Sequence, residues 1–95
     1  MADRPQGKPK RLEMLIINDE ADAPSFLNPM SGQIFVTNRV GKKIMELADG
    51  SLGVDAIVDE VTREFKGVAR DTAVRDTETF LATSMDKGLI TWTDP

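Results

Sequence analysis

Two spacings of apolar residues divide the chain, and the switch between them falls near residue 38. Before it, apolar residues come in short runs. Met14-Leu15-Ile16-Ile17, bounded by Asn18-Asp19 and then Ala23-Pro24, predicts one strand, and Ser25-Phe26-Leu27 a second, shorter one. Asn28-Pro29-Met30-Ser31-Gly32 reads as a hairpin loop, with Pro suited to an early turn position and Gly to a left-handed one. Gln33-Ile34-Phe35-Val36-Thr37 is the third strand, rich in residues that pack well on a pleated surface. Alternation puts Ile34 and Val36 on one face and Gln33, Phe35 and Thr37 on the other. Ordinary strand burial assigns Ile34 and Val36 to the core. Two hairpin connections then give an antiparallel meander.

From Asn38, a good N-cap, the period becomes helical. Val40, Ile44, Leu47 and Ala48 share one face up to Asp49, and Gly50 supplies the left-handed residue that ends a helix. Gly41 inside this helix costs roughly 1 kcal/mol against Ala, a cost that close approach of another backbone would justify. A second helix starts near Val54, with Val54, Ile57, Val58, Val61 and Phe65 on one stripe and a solvated acidic face of Asp55, Asp59, Glu60 and Glu64. A third runs from about Asp71 to Lys87 with Gly88 after it. Its apolar positions, Val74, Phe80, Leu81 and Met85, are sparse and interleaved with Thr. Leu89–Thr93 closes the chain as a short extended piece carrying Trp92, the one tryptophan. Three short strands followed by three helices predict an α+β domain of winged helix-turn-helix-like type: an N-terminal three-stranded antiparallel β-meander and a three-helix bundle. Residues 1–11, with Pro5, Gly7 and Pro9 among basic side chains, read as a flexible basic arm, and 12–95 as a single domain.

Composition narrows the chemistry. The 95 residues include no Cys and no His, which removes thiol nucleophiles, Ser–His–Asp triads and the usual zinc and iron–sulfur ligands. Ser31, Ser51 and Ser84 have no evident base, so an enzyme is the least supported reading. The net charge of -4 is unevenly placed. The first twelve residues carry Arg4, Lys8, Lys10 and Arg11 against Asp3, so -4 overall less the +3 of the arm leaves -7 on the body. An acidic body argues against a phosphate-backbone ligand. No apolar stretch approaches a membrane span and the first residues hold no signal-peptide core, so the expectation is a cytoplasmic protein without a cofactor, a metal, a nucleic-acid partner or a membrane partner.

The run from Asn28 to Gly41, followed by Ile44-Met45-Glu46-Leu47-Ala48-Asp49-Gly50 and later Lys87-Gly88-Leu89-Ile90, resembles the PqqD family. Members of that family look like N-P-x-(S/T)-G-x-(I/V)-(F/Y)-x-x-N-x-x-(G/A), then I-W-E-L-x-D-G, then two helices ending in K-G-L-(I/V). The resemblance covers roughly residues 12–91. Met45 stands where the family often has Trp, a change that an adaptable side chain tolerates. The family contains the peptide chaperone of pyrroloquinoline quinone biosynthesis and related recognition elements of ribosomally made, modified peptides. The resemblance therefore implies a non-catalytic module that binds the leader of a precursor peptide and presents it to a modifying enzyme, often of the radical SAM type. It further implies that the leader adds as a strand beside the third strand and packs against the third helix.

The residues support that use on their own terms. The third strand is an edge of the meander and carries neither Pro nor charge, so the usual protections against edge pairing are missing. Gln33, Ile34, Phe35, Val36 and Thr37 are the strand candidates for peptide binding. Val74, Thr77 and Leu81 are candidates for an apolar floor on the third helix, with Arg70 and Arg75 near an acidic leader. The alternative is a winged-helix nucleic-acid-binding regulator. It meets a third helix whose Arg70, Arg75 and Lys87 are offset by Asp71, Asp76, Glu78 and Asp86, a poor phosphate surface. A homodimer, which would enlarge a thin core, is left open.

Overall fold

Short strands and a long third helix set the proportions of this computed structural model, which describes residues 7–20 and 22–93. Strands β2 (Ile16–Asn18), β3 (Ser25–Leu27) and β4 (Ile34–Val36) form an antiparallel sheet in the order β2-β3-β4. The β3–β4 hairpin is closed by Asn28, whose Oδ1 accepts from Met30 N at 2.9 Å while Gly32, at φ 80°, makes the left-handed step. The same Asn28 donates through Nδ2 to the carbonyl of Gly88 at 3.0 Å, so the turn is tied to the end of the third helix.

Register decides which face of this sheet is inside. Ile17, Phe26 and Phe35 lie in one cross-strand row, between the row Ile16, Leu27, Ile34 and the row Asn18, Ser25, Val36. Phe26 is fully buried and Phe35 packs against the core, so the middle row faces the helices and the other two face away. The expectation that Ile34 and Val36 are core residues is therefore overturned: they are 56% and 61% exposed. The alternation is as expected, but the inward face is the one with the aromatic ring. Phe35 stacks on Phe80 at 5.1 Å and meets Phe26 edge-on at 6.4 Å, and Phe26 meets Phe80 at 6.1 Å. A three-ring cluster gathers more apolar area than two β-branched side chains.

Helix α1 spans Arg39–Leu47, α2 Val54–Glu64 and α3 Arg70–Asp86. Asn38 caps α1 as its sequence position implies, its Oδ1 accepting from Gly41 N at 2.9 Å. The helices bury Ile44 and Met45 from α1, Val54, Ile57, Val58 and Val61 from α2, and Ala73, Thr77, Phe80 and Leu81 from α3. With Phe26 below and Leu89 and Ile90 beside them, these residues make one core. Met45, where the family often has Trp, is fully buried in it.

The arm requires a correction. Its residues 1–6 lie outside the described residues, but Pro9–Arg11 form β1, which pairs antiparallel with β5 (Ile90–Trp92). Five strands in two sheets therefore replace the three expected. Pro9 opens its strand, where the missing N–H is tolerated. Arg11 N donates to Ala48 O at 2.7 Å and Gly50 N to Pro9 O at 3.0 Å, so β1 also closes the end of α1. That helix has no basic residue in its last turn. The Arg11 guanidinium serves instead, donating to the carbonyls of Met45 (3.2 Å) and Glu46 (3.0 Å). Trp92 packs on the core from β5, opposite Pro9. No helix among the described residues is long and apolar enough to cross a membrane.

Candidate functional site

The backbone of β4 has one side committed and one side open. Asn28 N donates to Gln33 O (3.0 Å) and Thr37 N to Pro24 O (2.8 Å), which fixes 33:28 and 37:24 as hydrogen-bonded pairs. Antiparallel pairs alternate, so Phe35 bonds to Phe26 and the N–H and C=O groups of Ile34 and Val36 point away from β3. Among the described residues no strand occupies that side. Two residues thus present two donors and two acceptors along an edge with no charge and no Pro.

A cleft of about 370 Å³ opens where β4, the first turns of α1 and the middle of α3 meet. Phe35 of β4 and Thr37 just after it line one side, and Asn38, the cap of α1, lines the next with Val40, Gly41 and Ile44 of that helix. The α3 wall is Arg75, Asp76, Thr79, Phe80 and Thr83, a single helical stripe. No β3 residue contributes, so the cleft lies on the open side of β4. Its base is apolar, from the stacked Phe35 and Phe80 together with Ile44, and its α3 rim is polar, with one cation and one anion side by side.

Gly41 sets the width of this cleft. A Cβ added there would lie 1.9 Å from Thr37 Oγ1 and 2.9 Å from the Phe80 ring. The helix N-terminus therefore approaches the end of β4 and α3 more closely than any side chain permits. Close approach is what the glycine implied, though the neighbours are side chains and not another backbone. Lys87 Nζ lies 5.9 Å from the centroid of Phe35, holding a cation near the ring from the end of α3.

The structure sorts the sequence candidates into three groups. Phe35, Thr37 and Arg75 line the cleft. Ile34 and Val36 supply the open backbone edge, with Gln33 exposed at its start. The rest are elsewhere. Thr77 and Leu81 are buried and offer no floor to a groove, and the Thr77 hydroxyl has no hydrogen-bond partner among the described residues. Val74 is half-buried against the core, and Arg70 pairs with Asp59 of α2 at 2.7 Å. The cleft-facing side of α3 is rotated from the expected one, because its apolar stripe packs on α1 and α2. Reasoning from sequence missed the cap Asn38, Val40, Gly41 and Ile44 of α1, and Asp76, Thr79, Phe80 and Thr83 of α3 as cleft-lining residues. The Thr-rich, apolar-poor character of α3 was the available signal: Thr79 and Thr83 stand one turn apart on the cleft side.

No group of three or more metal-ligating side chains occurs among the described residues. Among the described residues Asp49 has a lowered pKa; it lies just after α1, where the Ser51 hydroxyl and backbone N–H both donate to its carboxylate. It has no part in the cleft.

Comparison with known proteins agrees with this architecture. The sequence model of the family described as Coenzyme PQQ synthesis protein D (PqqD) matches residues 26–90. A solved structure of TbiB1 in complex with the TbiA(beta) leader peptide has a TM-score of 0.71 at 27% identity, covering 90% of this chain and 99% of that one. A second, lasso peptide synthetase B1 complexed with the leader peptide, has the same TM-score of 0.71 at 15% identity, covering 88% and 98%, and speaks for the fold alone. No curated protein matches the chain. Neither the matches nor the charge of α3 favours the nucleic-acid alternative.

Proposed function

The chain belongs to the PqqD family, and we propose that it is a non-catalytic recognition element that binds the leader segment of a ribosomally made precursor peptide. The observation that carries this reading is the open edge of β4 running beside the cleft walled by α1 and α3. An extended leader adds as a fourth strand to Ile34 and Val36 through up to four main-chain hydrogen bonds, independent of its sequence. Selectivity comes from the cleft. Alternate leader side chains point into it, and its apolar base accepts a large apolar side chain while Arg75, Asp76, Thr79 and Thr83 read what flanks it. The TbiB1 complex, with its leader peptide, supports the same use of this fold.

An extended leader loses conformational freedom when it is ordered on the strand, and part of the gross interaction offsets that cost. A net affinity in the micromolar range, about 8 kcal/mol, is what such a groove delivers. The chemistry then belongs to a peptide-modifying enzyme to which the leader is presented, in this proposal a radical SAM enzyme. A chain without Cys or His is suited to that division of labour.

The test is a titration of isotope-labelled protein with a leader peptide encoded beside its gene, read by backbone amide shifts. The expected result is saturable shifts at Ile34 and Val36 and along residues 75–83 of α3. Shifts absent from both segments at saturating peptide would remove the reading, and turnover of the precursor by the purified chain alone would remove its non-catalytic part.

A further inference from the structure

The apolar side chains that the fold leaves in solvent are not scattered. Of the exposed large hydrophobic residues, all but Met85 fall between positions 14 and 36: Met14, Ile16, Ile17, Met30, Ile34 and Val36. Register gathers three of them on one surface. Ile16, Leu27 and Ile34 form a cross-strand row, Val36 stands in the row beyond Phe35, and both rows point away from the helices. Ile16 is 49% exposed and Leu27, between its neighbours, half-buried. A small domain with a thin core leaves such a face bare when something else covers it.

Charge identifies what covers it. Residues 12–38, which make up the sheet and its loops, contain Glu13, Asp19, Glu20 and Asp22 and not one Lys or Arg; Lys42 of α1 pairs with Asp19 at 3.3 Å, so Glu13, Glu20 and Asp22 carry the acidic character. A second copy docking face to face would set two acidic rims against each other. A protein with an apolar centre and a rim of Lys and Arg is the complementary occupant.

The same face is continuous with the peptide site, and here the inference rests on the leader-binding reading above. A strand added at β4 prolongs the sheet. If half of its side chains enter the cleft, the other half stand on the outer face beside Ile34 and Val36. We infer that the outer face of β2-β3-β4, extended by these leader side chains, is the docking surface for a modifying enzyme with a basic-rimmed apolar patch. The enzyme therefore recognises the complex in preference to either component.

Size makes the dependence on leader quantitative. Three strands of three residues, at about 3.3 Å per residue and about 4.8 Å between strands, give a patch on the order of 150 Å² in projection. A standard interface takes roughly 800 Å² from each partner. The sheet alone supports only weak association, and a fourth strand widens it by about a third. Enzyme and leader consequently strengthen each other's binding by the same factor.

The experiment measures fluorescent leader binding with and without the purified enzyme that modifies that precursor, for the wild type, Ile16→Lys and Asp22→Lys. Ile16 lies two strands, about 10 Å, from the open edge of β4. Leader affinity without enzyme is expected to stay within about twofold in both variants, as for well-separated sites. In the wild type, enzyme tightens leader binding by about tenfold or more. Ile16→Lys abolishes that tightening, and Asp22→Lys reduces it and flattens its salt dependence, with unfolding midpoints recording that both variants are folded. Retained tightening in Ile16→Lys overturns the inference. So does a wild-type dimer, seen by light scattering, that Ile16→Lys converts to monomer, since the face then belongs to a second copy. Failure of the leader to bind the wild type is a different outcome, because it removes the peptide reading as well.

Discussion

The meander ends in two open edges, β2 and β4, and they differ in ways that bear on their use. On β2 the hydrogen-bonded pairs with β3 are 16:27 and 18:25, so only Ile17 of its three residues turns its backbone outward. On β4 two residues do, Ile34 and Val36. The β2 edge runs straight into Asp19, Glu20 and Asp22, and such charges discourage an incoming strand. The β4 edge has no charge within it and runs beside a cleft whose opposite wall is α3. An edge becomes a binding site when it offers both a ladder for the main chain and a wall for side chains. β2 has little of the first and, among the described residues, none of the second.

The largest expected effect comes from removing the wall. Phe80 is 7% exposed and contacts both Phe26 and Phe35. Phe80→Ala should cost about 3–5 kcal/mol of stability, measured by urea denaturation, because a ring is lost from a buried cluster. The surviving folded fraction should bind leader no better at β4 than at β2. Next is a matched pair of prolines. Val36→Pro removes an outward N–H and puts a ring in the path of the added strand, without touching the β3–β4 ladder. It should weaken leader binding by about tenfold or more, the worth of one lost hydrogen bond with steric obstruction added, while the unfolding midpoint stays close to that of the wild type. Ile17→Pro makes the same change on β2 and should leave leader affinity unaltered. Equal losses from the two would show that the edges are not distinguished as argued.

Much of this difference was legible in the chain and some was not. The strands at Ser25–Leu27 and around Phe35, the Asn38 cap, the start of α2 at Val54 and the glycines after α1 and α3 all follow local rules, and local rules are what a sequence displays. The inward face of β4 is not legible, because a period of two separates faces without saying which is covered. Two β-branched residues outweigh one aromatic on local grounds, and the covered face is settled by Phe26 and Phe80, distant in sequence, which meet Phe35. The orientation of α3 failed for a related reason. Its apolar positions were legible, but whether they serve the groove or the core depends on how α1 and α2 pack on it. β1 was hidden because three residues with Pro and two cations carry no strand signal of their own. Gly7 reads as part of a flexible arm, whereas in the fold a Cβ there would overlap Thr93 O, a contact across more than eighty residues that no local pattern displays.

The smallest expected effect concerns the ion pair that ties the end of β2 to α1. Lys42 Nζ lies 3.3 Å from Asp19 and 2.9 Å from Glu46, and its pKa is raised, by Glu46 first and by Asp19 less, against some desolvation. A raised lysine pKa means that the pairs stabilise the fold fully below the unfolded value of about 10.5 and lose that contribution as pH climbs through the folded value. Glu46→Gln should therefore lower the unfolding midpoint slightly at pH 7 and converge with the wild type once pH has climbed through the raised lysine value, with Asp19→Asn showing the same trend more weakly. Both differences should shrink in 0.5 M salt, because the ammonium is solvent-screened. If Asp19→Asn instead lowers the midpoint more than Glu46→Gln, then Asp19 is holding β2 in place. In that event the acidic run after β2 is a structural tether, and its role in guarding the edge would be secondary.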